Sequence, residues 1–422
     1  MGIRKAVECA GGDKAGVCWV PNSKDPYTCE RSHSGLGHYQ NVMNGRSNYD
    51  LLVQHKVTRV LYRAGQEQSG PPQVEIRSLT DGATTVLKAK AEVVISAGSL
   101  HTPQILQRSG IGPPNILKQA NISLLVDLPG VGANFQDHAG VYLQSWANLS
   151  SVAGPSQIDL RNNATFREEA DALYALRPAQ GPYTLVGSSN AVYVGLPNIT
   201  ANYDAIATTV EKQLSDGSFA SFLPPGSSDT VKEGYRAQLA VPAGELRDWR
   251  SPVFESVVAG GPASMGYLLK PLSRGSVHLN ASAPDGEPSI IYGTAANPVD
   301  VVILAAFIPF LRRHLETPTM KALGARELFP GSNVTSQARL EEFVRNSASG
   351  TFAHPCCTAA MMPRNKGGVV GPDLKVHGVK GLRVVDASIF PMVPGTHTSA
   401  TVYAVGEKGA DIIIRDWEAR RS

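Results

Sequence analysis

Ala91-Glu92-Val93-Val94-Ile95-Ser96-Ala97-Gly98-Ser99 is the stretch on which the fold turns. Its apolar residues run almost without interruption and end in small ones. A run of this kind, closed by Ala97-Gly98, is the pattern of a buried parallel strand, and such strands deliver their C-terminal ends to a ligand site. Near the other end of the chain, Leu382-Arg383-Val384-Val385-Asp386 repeats the plan, followed by Ala387-Ser388. Small side chains after a strand let backbone approach a phosphate or a flat ring closely. The two stretches predict two pieces of one α/β layer.

Working outward from the first strand, residues 48–53 and 57–62 read as β-like runs. Residues 74–77 and 85–87 alternate as half-buried strands around an Asp81-Gly82 turn. Residues 1–48 are rich in Gly, Ser and Cys and read mostly as loop. Between about 145 and 350 the texture changes. Strands such as 191–194 mix with Pro- and Gly-rich loops at 223–228 and 260–263. A helix is predicted from about Pro298 to Glu316, with Val301, Leu304, Ala305, Ile308 and Leu311 at helical spacing. Another is predicted over 399–417. A strand-rich unit thus stands inserted between two pieces of an α/β unit.

Lys and Arg total 39 and Asp and Glu 36, a formal net charge of +3 over 422 residues. No block of like charge is long enough to grip nucleic acid or an acidic membrane. With 42% hydrophobic and 18% charged residues, the composition is that of a globular enzyme. No apolar run reaches the length of a bilayer span. The length predicts more than one domain. The partner expected is a small molecule. The basic start Met1-Gly2-Ile3-Arg4-Lys5 is followed by no apolar run, so no secretion signal is read there. Sequons nevertheless occur at Asn121, Asn148, Asn163, Asn198, Asn280 and Asn333. Chance gives roughly two or three, and the excess points to the secretory pathway, with the leader outside this sequence. Cys9, Cys18 and Cys29 cluster early and Cys356-Cys357 are adjacent, with no spacing suited to zinc. A bridge among the first three fits a secreted protein, its pairing left open. The absence of G-x-S-x-G and H-E-x-x-H motifs argues against a hydrolase.

From Ala97 onward, the run Ala97-Gly98-Ser99-Leu100-His101-Thr102-Pro103-Gln104-Ile105-Leu106-Gln107-Arg108-Ser109-Gly110-Ile111-Gly112 resembles the second signature of the glucose–methanol–choline (GMC) oxidoreductases. Family-like blocks follow in order: 128–138, Ser273-Arg274-Gly275-Ser276-Val277, His354-Pro355 and the run 381–411. The resemblance extends from about Gly16 onward and is greatest to fungal members linked to secondary metabolism. It implies FAD as cofactor and an alcohol as substrate. It also implies three segments: part of an FAD-binding domain over 1–145, a substrate-binding domain over 146–350, built on an antiparallel sheet with helices, and the rest of the FAD-binding domain over 351–422. In that family the segment matching Ser96, Ala97 and Gly98 lies against the flavin dinucleotide. Val57 matches a position whose backbone contacts the adenine, and Asp386, Ala387 and Ser388 match ribityl and pyrophosphate contacts. Thr398 joins the same cofactor set.

The resemblance makes His354 and His397 the catalytic candidates; the family's usual base lies in the later block, where His397 stands, and the base role stays open between the two and is assigned here to His354. Oxidising an alcohol requires removal of the hydroxyl proton while hydride leaves carbon for flavin N5. An imidazole titrating near neutrality suits the first task, and a second donor can hold the oxygen. His33, His38, His55, His101, His278, His314 and His377 read as surface or satisfied core residues, and His138 is left open.

The departures are specific. The family begins with a strand, a G-x-G-x-x-G turn and a helix that receives the pyrophosphate, and no such unit occurs here. Gly130-Val131-Gly132-Ala133-Asn134-Phe135 comes near but lacks the third Gly. The first family signature is missing as well. The expectation is an incomplete Rossmann-like domain, without its central strand and phosphate cradle. After His-Pro and one residue, relatives read Gly-Thr-Cys and then Met two residues on; this chain reads Cys357-Thr358-Ala359-Ala360-Met361. Three functions stay open: FAD-dependent alcohol oxidation, a non-redox flavoprotein cyclase of the same family, and a truncated or split product.

Overall fold

Val93–Ile95 and Leu382–Val384 do pair in parallel, with Leu382 opposite Val93 and Val384 opposite Ile95. The computed structural model describes residues 1–7, 9, 12–62, 65, 70–148, 157–185, 190–257 and 263–420. Within the pair, Ile95, Leu382 and Val384 are buried while Val94 is exposed. The expected burial therefore holds for one face only. Arg383, fully buried between them, pairs with Glu92 at 3.0 Å and with Asp416 at 2.6 Å. Asp416 stands on the terminal helix Thr398–Ala419, so this ion pair fastens that helix to the sheet. The helix Gly98–Arg108 springs directly from the first strand and buries Thr102, Ile105 and Leu106. Beside it lies an antiparallel sheet of His55–Leu61, Gln73–Ser78 and Thr84–Lys88. The Val60 N–H donates to Ser109 Oγ at the end of that helix. The run 48–53 is not a strand, and Leu51, Leu52 and Val53 are more than half exposed. β-propensity makes a strand only where packing and a neighbouring ladder receive it.

The second body of structure is a six-stranded antiparallel sheet ordered Gly16–Trp19, Asn190–Gly195, Pro252–Val257, Ala263–Leu268, Gly140–Trp146, Arg326–Phe329. The first of these lies in the segment read mostly as loop. Cys18 on it is disulfide-bonded to Cys9, and it runs antiparallel to Asn190–Gly195. Cys29 remains a thiol. The helix Pro298–Leu315 packs on one face of the sheet, with Val301, Leu304, Ala305, Ile308 and Leu311 all buried. Its start is written in the sequence: Asn297 Oδ1 accepts the Val299 N–H at 3.0 Å, and Pro298 and Asp300 suit a first turn. Phe254 on the sheet meets Phe307 and Phe310 edge-on at 4.6 and 5.0 Å. Burying one such side chain contributes about 1.5–3 kcal/mol.

The opposite sheet face is polar and aromatic. Register places Tyr142 opposite Met265, and Tyr267 opposite both Gly140 and Glu255. Glu255 in turn stands opposite Tyr193. Side chains alternate along a strand, so these residues share one side. Among the described residues no helix is long and apolar enough to cross a membrane.

Candidate active site

Three turns far apart in sequence are knitted together at the end of the parallel pair. Ser96 Oγ donates to the Val385 carbonyl at 2.8 Å, and the Gly98 N–H to Asp386 Oδ2 at 2.9 Å. Ser99 Oγ donates to the Pro355 carbonyl at 2.8 Å, and Thr358 Oγ1 returns a bond to the Ser99 carbonyl at 2.7 Å. The Cys357 N–H donates to the Ala387 carbonyl at 3.1 Å. The predicted cofactor turns and the His354 loop are thus one unit. Asp386 is its rivet: Oδ2 also accepts from Thr102 Oγ1, and Oδ1 accepts from Ser388 N–H and Oγ. With Asp386 and Ser388 occupied in this way, what their turn offers a ligand is backbone and the small side chain of Ala387. Ser96 and Ala97 are exposed. Gly98 takes φ +76, and a Cβ there would meet open space. Thr398 opens the terminal helix beside His397. Val57 stands apart from this unit, exposed on the three-stranded sheet opposite Ile76.

The two predicted histidines come together, their ring centroids 5.3 Å apart. His354 follows Ala353, which adopts φ +59, a left-handed conformation that costs an alanine about 1–2 kcal/mol. Asp137 holds that turn. Its Oδ1 accepts the N–H groups of His138, Phe352 and His354 at 2.7, 3.1 and 3.1 Å, and its Oδ2 accepts from Thr351 Oγ1. The Nδ1 atoms of His354 and His138 face each other at 2.9 Å. Burial lowers the His354 pKa to about 4, with the charge of His397 adding to the effect and Glu255 opposing it. Burial, then His354 itself, holds His138 well below its ordinary value. Both rings are neutral at pH 7.

His397 Nε2 donates to Oε1 of Glu255 at 2.6 Å, and the same oxygen accepts from Tyr193 OH at 3.1 Å. Glu255 is fully buried. Lys14 Nζ stands 4.3 Å from the Tyr193 ring centre; burial lowers its pKa to about 8, against the pull of Glu255. Phe352 stacks on Tyr267 at 3.6 Å and meets His354 and His397 edge-on at 5.0 and 5.4 Å. The site gathers two imidazoles and three aromatic rings.

Glu255, Tyr193, Tyr267 and Lys14 join the site without belonging to any of the family-like blocks. One signal existed: in Val253-Phe254-Glu255-Ser256-Val257 a carboxylate interrupts an apolar strand, and a charge that a strand turns inward must have a partner. Cys357 packs rather than reacts. It is buried at φ +79, where glycine is favoured, with its sulfur 2.8 Å from that of Cys356. Burial raises the Cys356 thiol well above its usual range, so no activated thiolate is prepared here. The glycines of the 130–135 near-match serve packing: a Cβ on Gly132 would lie 2.1 Å from the Val277 carbonyl oxygen.

Family models for the N- and C-terminal parts of GMC oxidoreductases match residues 1–140 and 271–406. A solved fungal aryl-alcohol oxidase is 50% identical and superposes with a TM-score of 0.95 over 99% of this chain and 69% of its own. The chain belongs to the GMC oxidoreductase family. An FAD-dependent oxidoreductase from Chaetomium thermophilum is 34% identical, with a TM-score of 0.91 over 99% of this chain and 70% of its own. The dehydrogenase xptC of Emericella nidulans is 33% identical over 98% of this chain. The chain spans 65% of the length of that relative and 62% of a Malassezia sympodialis GMC family protein.

The cofactor of such enzymes is FAD, and the residues present fit their share of it. The turns at 96–98 and 386–388 are side by side, small in side chain, open at Gly98, and bonded to the loop that carries His354. They would hold part of the dinucleotide through backbone groups, next to the histidines.

Proposed function

We propose that the whole protein oxidises a primary aromatic alcohol, with His354 accepting the hydroxyl proton. One observation carries this reading: the His354–His397 pair, 5.3 Å apart, adjoins the stacked rings of Phe352 and Tyr267. When bound, the flavin supplies the hydride acceptor. The chain's own residues do the rest. His354 is neutral at pH 7 and able to take a proton, as a mild base. His397, anchored by Glu255, holds the substrate oxygen. Phe352, the half-buried ring of the cluster, would meet a flat substrate, while Tyr267 and Tyr193 are buried. The similarity to an aryl-alcohol oxidase supports the substrate class.

The protein is further proposed to be a secreted glycoprotein. All six sequon asparagines are exposed, as glycosylation requires, and the Cys9–Cys18 disulfide suits an oxidising compartment.

The test is a flavin spectrum taken after incubation with excess FAD and removal of what is free, followed by anaerobic addition of benzyl alcohols. Bleaching of bound flavin by an aromatic alcohol, and not by an aliphatic one of similar size, is expected. Bound flavin that no alcohol bleaches refutes the reading.

A further inference from the structure

Away from the histidine site, a cavity of about 420 Å³ opens between three elements. They are the helix Pro114–Gln119, the Pro-rich loop 223–228, and the strand Ser276–His278 with its partner Ser289–Ile291. None of the residues gathered around His354 and His397 lines it. Its walls are mainly apolar, with Pro113, Pro129, Leu223, Pro224 and Ile291 among them. No charged side chain lines it among the described residues. Such a size and lining suit a small-molecule site. The prolines hold their rings in place, so the walls are ordered before a ligand arrives.

One polar group in the lining has a defined direction, and buried Gln107 sets it. Gln107 Oε1 accepts the Leu279 N–H at 2.8 Å, while its Nε2 lies 3.2 and 3.4 Å from the Val131 and Val277 carbonyls. Turned over, the amide would set its oxygen against two carbonyl oxygens and its NH2 against an N–H, so the neighbours fix its orientation. The same NH2 stands 3.0 Å from His278 Nδ1. An amide nitrogen donates and does not accept, and a proton on Nδ1 would face the amide's own hydrogens. His278 Nδ1 is therefore the acceptor, and the ring carries its proton on Nε2. Burial lowers the His278 pKa to about 4, so the ring is neutral at pH 7. Among the described residues no group bonds His278 Nε2, and unlike His138 Nε2 it is not enclosed. A ring that lines the cavity thus carries an N–H with no acceptor.

We propose that this cavity binds an uncharged aromatic carbonyl compound, its oxygen on His278 Nε2–H and its ring against the proline faces. The donor selects an acceptor oxygen. The uncharged lining rejects a carboxylate, which would lose its hydration there with no cation to replace it. A flat, rigid ring matches fixed walls and loses little rotational freedom on binding. Nothing in this assignment depends on alcohol oxidation at His354 and His397.

The experiment titrates the full chain with acetylnaphthalene and, in parallel, with the naphthoate substituted at the same ring position. Long-range nitrogen–proton NMR of the 15N-histidine-labelled chain reads His278, assigned by its loss in His278→Phe, and calorimetry reads affinity. The ketone is expected to bind saturably and to move the His278 Nε2 signals, with naphthoate about 10-fold or more weaker. Ile116→Trp, which fills the cavity from a half-buried wall position, should weaken the ketone by about 10-fold or more. Loss of the donor in His278→Phe should weaken it by about 3-fold or more. Absence of saturable binding by wild type overturns the proposal, as does a response confined to His354 and His397. Naphthoate binding as tightly as the ketone, or undiminished ketone affinity in an Ile116→Trp protein that melts as a folded chain, overturns it equally.

Discussion

Acidification is the sharpest probe of the site, because its effect on His354 has a definite sign and size. Burial places the folded midpoint at about 4, against an ordinary value near 6.5. As pH falls, the unfolded chain takes up the proton first. The stabilisation is therefore complete above about 6.5 and is lost as pH falls toward about 4. At about 1.4 kcal/mol per pH unit the whole effect is at most about 3 kcal/mol, of which about 2 kcal/mol is gone by pH 5. His138 adds to it in the same direction, and the two rings take up their first proton as a pair. The assay follows the His354 Cε1 proton resonance, assigned by its disappearance in His354→Gln, between pH 8 and the onset of acid unfolding. A midpoint near 4, or no titration before unfolding, is expected. A midpoint within half a unit of 6.5 would show that water reaches the ring freely and would refute the burial argument.

Three further outcomes are expected. In flavin-loaded enzyme, His354→Ala and His397→Ala should each lower kcat by about 10²- to 10⁴-fold while flavin content, read from absorbance, stays near wild type. Gly368→Ala places a Cβ 1.7 Å from the Met362 carbonyl oxygen, whereas Gly244→Ala, within the helix Asp229–Glu245, meets nothing within 4 Å. Thermal melts should show a severe loss for the first and a gain of about 0.5–1 kcal/mol for the second. Arg383→Met leaves Glu92 and Asp416 without their buried partner; a loss of about 3–5 kcal/mol is expected by denaturant titration, with hydrogen exchange in the terminal helix accelerated.

What the sequence determined by itself was whatever depends on local pattern or on order along the chain. The apolar run ending at Ala97-Gly98 and its counterpart at 382–386 were legible because a buried strand needs unbroken apolar character. Pro298–Leu315 was legible from its cap and its 3.6-residue spacing. His354 and His397 were legible from ordered family-like blocks. What only the tertiary structure decided was what meets across the chain. The run 48–53 has strand-like residues and no partner, while Gly16–Trp19 is short and finds one in Asn190–Gly195. Asp386 turned out to be a fastening between turns, since its donors come from residues 98, 102 and 388. Glu255 and His138 became parts of the site through contacts spanning 142 and 216 positions. Periodicity speaks only for near neighbours. The protonation of a base is settled by the atoms packed against it, and packing brings those from anywhere in the chain.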